Sequence, residues 1–209
     1  MRLLARSLVP TILLLLGLAP ALPAQSGAAR TRAQLRALFD AHKGDFDYLL
    51  GDWRFDGSSK QYPAFHGLWS AVRLAADGQV LDEYRVVGDS GETYYVTSTI
   101  RSYDAPKDRW ELVSIGGGNG LQDTGTGRRV GNEVYIEQTF GAGGEHPSLL
   151  RIRYHDIAAD HFSWTADCSG DGGKSWTLHC QSLEAHRIGP PRSIEPLTRS
   201  SAKAAPGDP

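Results

Sequence analysis

The strongest constraint on this chain is a long alternation, from Gly51 to Arg187, between segments rich in pleated-sheet residues and short clusters of turn formers. Candidate strands cover 51–57, 64–74, 79–88, 92–103, 108–116, 119–127, 132–140, 148–155, 161–168 and 174–187. Tyr, Val, Ile, Thr and Trp, which suit a half-buried pleat, are dense inside them. Asp77-Gly78, Asp89-Ser90-Gly91, Pro106-Lys107-Asp108, Gly141 to Gly144 and Asp171-Gly172-Gly173 supply turns between them. No helical pattern long enough for a crossover intervenes, which excludes parallel pairing and leaves an up-and-down meander. An open meander of about ten strands would expose two long edges, so the sheet is expected to close on itself. The predicted fold class is all-β: a closed antiparallel up-and-down barrel of about ten strands. A barrel of this size is either filled by side chains or hollow enough for one small ligand.

The ends of the chain read differently. Thr31-Arg32-Ala33-Gln34 fits a capping box, and Leu35, Leu38, Phe39 and His42 follow at helical spacing, with Gly44 as the expected left-handed stop. A short helix over 31–43 is predicted to cover one barrel opening. Residues 1–24 have a basic start (Arg2, Arg6), an apolar run from Leu13 to Leu18, and the small-residue exit Ala19-Pro20-Ala21-Leu22-Pro23-Ala24. That is the pattern of a cleavable secretory signal, cut after Ala24 or else Ala21, and it is too short to span as a mature helix. Residues 25–30 read as a flexible stub, 31–188 as the barrel domain, and 189–209, with Pro190-Pro191 and Pro196, as a disordered tail. The expected location is periplasmic or secreted. The formal net charge of −2 becomes more negative once Arg2 and Arg6 are removed. Such a chain has no general attraction to nucleic acid, and no further apolar run suits stable membrane insertion. The partner it suits is a small molecule.

Cys168 and Cys180 are the two cysteines. If the chain between them folds as a hairpin about Gly172, Cys168 faces Trp176 and Cys180 faces Trp164. The sulfurs then lie four rungs apart, roughly 13 Å at strand rise, beyond the ~7 Å Cα limit for a bridge. Two free thiols are expected, although an oxidising compartment would permit a bond.

Candidate site residues come from the strands. Trp69, Tyr84, Tyr95 and Trp164 are candidate aromatic walls of a ligand pocket, and His66 and Glu83 are candidate acid–base groups within it. Glu83, Arg85, Arg101, Glu111, Arg151 and Arg153 interrupt apolar alternation, and any that point inward must be paired. An inward arginine near Tyr84, Tyr95 or Trp69 would suit a small polar or anionic molecule. A five-residue loop centred on Ala158 would set His155 opposite His161, a weak candidate pair for zinc or copper. Ser169-x-Asp171-x-Gly173-x-Ser175-Trp176 reads as a hairpin brace, its aspartate bonding turn amides. Gly88-Asp89-Ser90-Gly91 and Gly116 to Gly120 read as turns.

Three further stretches carry a family resemblance: Leu49-Leu50-Gly51-Asp52-Trp53, then Ser102-Tyr103-Asp104 with Lys107-Asp108-Arg109-Trp110, then Asp171-Gly172-Gly173-Lys174-Ser175-Trp176. The chain resembles the calycin superfamily, and within it bacterial lipocalin-like domains of unknown function, over roughly residues 32–188. That resemblance implies that Gly51 and Trp53 open the first strand and that Arg187 stacks on the Trp53 indole, closing the barrel. It also allows a cavity enzyme of isomerase or hydrolase type. A second resemblance, to nitrobindins, rests on Gly51-x-Trp53, Gly57 and Tyr62-Pro63. It implies a haem held by a histidine near the end of the chain, His179 or His186.

Overall fold

Ten strands follow one another in the computed structural model, which describes residues 29–74 and 78–194. They are β1 (Gly51–Ser59), β2 (Phe65–Leu74), β3 (Val80–Val87), β4 (Thr93–Asp104), β5 (Arg109–Gly116), β6 (Gly120–Val130), β7 (Glu133–Phe140), β8 (Ser148–His155), β9 (His161–Ser169) and β10 (Thr177–Gly189). Each pairs antiparallel with the next, and β1 pairs with both β2 and β10, so the meander closes. At the seam Trp53 stands between Arg187 on β10 and Trp69 on β2. The expected signal segment 1–24, the stub before residue 29 and the tail beyond 194 lie outside the described residues.

Parallel pairing is not wholly absent. The two-residue strand β11 (Ser193–Ile194) runs parallel to β2 at Arg73 and Leu74. It takes the β2 edge just beyond the point where β1 begins, since Gly51 pairs with Ala71. Residues 189–194, expected to be tail, are therefore held against the barrel, with Arg192 forming an ion pair with Asp52. The stub is likewise anchored at its end, where Arg30 Nη1 donates to the Ala105 carbonyl at 3.0 Å.

Helix α1 (Arg32–His42) starts with the expected capping box: Gln34 N–H donates to the Thr31 hydroxyl, and the Gln34 side chain accepts from Thr31 N–H. Gly44 does not act as a left-handed stop. Lys43 stays right-handed, and two tight turns lead instead into a 3-10 turn, Asp47–Leu49. The segment plugs one barrel end. Leu35, Leu38 and Phe39 pack on the core, and His42 stacks on Tyr103 with ring centroids 4.9 Å apart. Asp45 accepts from Trp110 Nε1 at 3.1 Å and faces His42 Nδ1 at 3.0 Å. Trp53 Nε1 donates to the Leu49 carbonyl at 2.8 Å. Phe46, Leu49, Trp53, Phe55, Trp110, Val134 and Phe162 are fully buried there. The half of the barrel nearest α1 is thus a packed aromatic core, and the plug makes the opposite end the mouth.

Candidate functional site

Alternation fixes what faces inward. Val80, Asp82, Tyr84 and Val86 do so on β3; Thr97, Thr99, Arg101 and Tyr103 on β4; Leu150, Ile152 and Tyr154 on β8. Above the packed half these side chains leave a cavity of about 1090 Å³ that opens at the mouth. Its two sides differ in chemistry. Phe65, Trp69, Tyr84, Tyr154, Trp164 and Leu183 supply an aromatic and apolar wall from β2, β3 and β8 to β10. Thr97, Thr99, Ser114, Asp123 and Gln138 supply a polar wall from β4 to β7.

The aromatic rings form a contact chain. Phe55 stacks on Tyr84 (4.6 Å), Trp69 meets Tyr84 edge-on (5.3 Å), and Tyr84 meets Tyr95 edge-on (6.1 Å). Phe55 also covers Gly67, its β1–β2 partner: a Cβ there would come within 2.2 Å of the Phe55 ring and 2.0 Å of the Arg85 carbonyl. Burial pushes the Tyr95 phenol up to about 12 and the Tyr84 phenol further still. Both are neutral hydrogen-bonding groups at any ordinary pH.

At the floor Arg101 does point inward, and it is matched by a carboxylate that the sequence reading did not single out. Arg101 (3% exposed) forms an ion pair with Asp82 (2% exposed), and Trp69 Nε1 donates to the other Asp82 oxygen at 2.8 Å. Arg101 also lies over the Phe46 ring, 5.3 Å from its centroid. Its charge is therefore balanced within the protein, and the floor does not by itself select an anion.

A second missed residue stands on the polar wall. Asp123 is 4% exposed and accepts from Gly141 N–H at 3.3 Å, with the Ser114 and Gln138 side chains as further partners. Burial raises its carboxyl to about 6 despite those bonds. The nearest clue in the sequence is Asp123-Thr124-Gly125-Thr126-Gly127, where glycine alternates in step with the aspartate. Reading it requires the bulge between Ser114 and Ile115, which sets the inward phase of β6.

Trp69, Tyr84, Tyr95 and Trp164 all line the cavity, and His66 stands at its mouth, 3.8 Å from Asp89. Glu83 does not line it. It alternates with the inward Asp82 and Tyr84, is exposed, and pairs with Arg85 at 2.9 Å on the outer surface. His155 and His161 do not oppose each other: His155 pairs with Ser163, and His161 with His186, because the β8–β9 pairing is centred on Ala159 and not on Ala158, which moves the partner of His155 by two residues. Each histidine faces its own neighbour, Asp156 or Asp160, and the described residues hold no group of three potential metal ligands. His179 and His186 are exposed and absent from the cavity lining. The residues present therefore do not fit a haem held inside the barrel by either of them.

The cysteines are bonded to each other, with Cα atoms 5.9 Å apart. The hairpin does not run symmetrically about Gly172. Thr177 pairs with Cys168, but Gln181 pairs with Ala166, so β10 carries extra residues between them. His179 absorbs the bulge in the left-handed region at φ 45°, and its N–H donates to Asp167 at 2.8 Å. That slip carries Cys180 toward Cys168, and the bridge lines the cavity. The neighbouring turn is braced by Asp171, which accepts from the Ser169 hydroxyl and from the Lys174 and Ser175 amides.

At the opposite end the Arg187 guanidinium lies over the Trp53 ring at 4.0 Å and donates to the Tyr48 and Leu50 carbonyls. Gly51, at φ 108°, approaches Arg187 so closely that a Cβ would come within 2.6 Å of Nη1.

Fold and cavity together define a class: a closed antiparallel barrel, plugged by a helix at one end and hollow at the other. No protein-family model matches the chain, and no curated protein does. Among solved structures it is similar to Rv2717c from M. tuberculosis, at 20% identity and TM-score 0.48 over 72% of this chain and 97% of that one. It is also similar to a redesigned beta barrel, b11L5F_LGL, at 8% identity and TM-score 0.36 over 68% of this chain and 92% of that one. Neither likeness is strong enough to carry an activity across.

Proposed function

We propose that this is an exported, lipocalin-like barrel that binds a small molecule in its interior. The observation that carries the proposal is the cavity of about 1090 Å³, with aromatic surface on one side and convergent polar groups on the other. That combination suits a compact organic ligand, the rings supplying contact area and the polar wall orientation. The lipocalin-like reading is supported by Gly51, Trp53 and Arg187 at the closed end. Export is supported by the N-terminal pattern of residues 1–24 and by the Cys168–Cys180 bond, which belongs to oxidising compartments.

Native mass spectrometry of protein purified from the periplasm or culture medium tests this reading. The expected result is a non-covalent adduct of a few hundred daltons that is lost on denaturation. A spectrum of apo mass alone, unchanged after incubation with a metabolite extract, would sink the proposal.

Catalysis in the same cavity is the second reading, and Asp123 is what favours it. A buried carboxyl raised to about 6 is suited to proton transfer near neutral pH. Turnover of a cavity ligand that disappears in Asp123→Asn would establish it, whereas an adduct recovered chemically unchanged after long incubation would argue for carriage alone.

A further inference from the structure

The geometry points to a ligand class: we infer that the cavity takes an organic cation, an amine on a flat apolar body, with its ammonium group on Asp123. This rests on the reading that the interior binds a small molecule, and it commits that reading to one charge type.

The argument is a balance of charge inside a low-dielectric space. The charged side chains deep in the cavity are Asp82, Arg101 and Asp123. Asp82 and Arg101 neutralise each other at the floor. Asp123 has only neutral donors: the Gly141 amide, the Ser114 hydroxyl and the Gln138 amide. No Lys, Arg or His forms an ion pair with it among the described residues. A carboxylate held this way lacks a counter-ion, and a positively charged ligand would supply one.

The rest of the lining selects which cation. A metal ion needs several hard or imidazole ligands, and Asp123 stands alone in this respect among the described residues. Tyr95, on the polar-wall strand β4, begins a run of rings that passes through Tyr84 to Trp69 on the apolar wall; these rings attract an organic ammonium through their quadrupole and give its carbon skeleton apolar contact. Tyr95 is close enough to feel the Asp123 charge. A neutral ligand would leave Asp123 uncompensated, and an anion would face it with like charge.

Calorimetric titration of the mature, disulfide-intact protein with three indoles of similar shape and different charge tests the inference: tryptamine, tryptophol and indole-3-propionate, at pH 7.5. Tryptamine is expected to bind at least about tenfold tighter than either of the others, and Asp123→Asn to bring the first two within about threefold. If Asp123→Asn does not fold, pH replaces it. Tryptamine affinity in the unaltered protein should fall about tenfold between pH 7.5 and 5 as Asp123 is protonated, while tryptophol affinity holds steady. The other titratable groups facing that space are Asp82, Arg101, Tyr84, Tyr95 and Tyr154 within and Lys60, Tyr62, His66, Asp89 and Tyr94 toward the mouth. The fall should therefore persist in His66→Asn. Equal or tighter binding of tryptophol or indole-3-propionate overturns the cation class and leaves the small-molecule reading standing. Failure of all three probes overturns the cation class too, and the small-molecule reading falls with it only if native mass spectrometry also finds no adduct.

Discussion

Asp123 and the Arg101–Asp82 pair are two kinds of buried charge, one held only by neutral donors and one matched by its opposite. The Asp123 carboxyl is raised from 3.8 to about 6 in the fold, so between those values the folded state holds a proton that the unfolded chain has released. Its contribution is complete below the unfolded value and is lost as pH rises through the folded one. The ligand-free protein should therefore lose about 2–3 kcal/mol relative to Asp123→Asn between pH 4 and pH 7, read from urea midpoints across that range. A difference that stays flat with pH would show that Asp123 is ionised without cost. Arg101 behaves as a structural charge. Arg101→Met leaves Asp82 buried without its partner and is expected to cost about 3–5 kcal/mol, most of it recovered when Asp82→Asn is added. These residues were only partly legible in the sequence. Arg101 stood out as a charge in an apolar alternation, but its direction depends on register. Asp82 and Asp123 carry no distinguishing motif, and only the pairing of β3 with β4 and the bulge between β5 and β6 turn them inward.

At the scale of elements, periodicity located all ten barrel strands, because turn residues and pleat residues alternate cleanly along the chain. It did not locate the irregularities. The β9–β10 hairpin shows why: its brace at Asp171 is visible in the sequence, but the extra residues that β10 absorbs at His179 are not. A symmetric register separates the cysteines, and the real one joins them at a Cα distance of 5.9 Å. Replacing both cysteines by alanine should cost about 2–4 kcal/mol, the usual range for a bridge, measured as a shift in guanidinium midpoint. The same variant should fray the mouth ends of β9 and β10 in hydrogen exchange while leaving the β4–β5 amides as protected as before. Next to that hairpin around the barrel, β1 and β2 are locked by Phe55 lying across Gly67. Gly67→Ala forces the ring and the Arg85 carbonyl apart and is expected to cost about 1–3 kcal/mol despite adding a single methyl group.

Taken as a whole, the molecule divides along the barrel axis into a half that is filled and a half that is not. The filled half contains Phe46, Leu49, Trp53, Trp110 and Phe162, sealed by the helix and by the seam where Arg187 covers Trp53. The hollow half has water-sized space against most of its side chains, so those groups contribute less packing per residue. On the proposed reading, stability and ligand selectivity are housed in different layers of one closed sheet. The separation has a measurable consequence. Trp53→Ala should cost about 3–5 kcal/mol, because it removes a fully buried indole, its bond to Leu49 and the surface on which Arg187 lies. Tyr95→Phe in the cavity wall should stay within about 1 kcal/mol, since the phenol borders open space and the ring is kept. If the cavity is the binding site, the order reverses for ligand. A residual folded population of Trp53→Ala at low temperature should retain an intact mouth and near-normal affinity, whereas Tyr95→Phe should change affinity at almost unaltered stability. Urea titrations with tryptophan fluorescence, paired with calorimetry on the same samples, distinguish this arrangement from one in which the barrel is uniformly packed and every interior substitution costs both properties together.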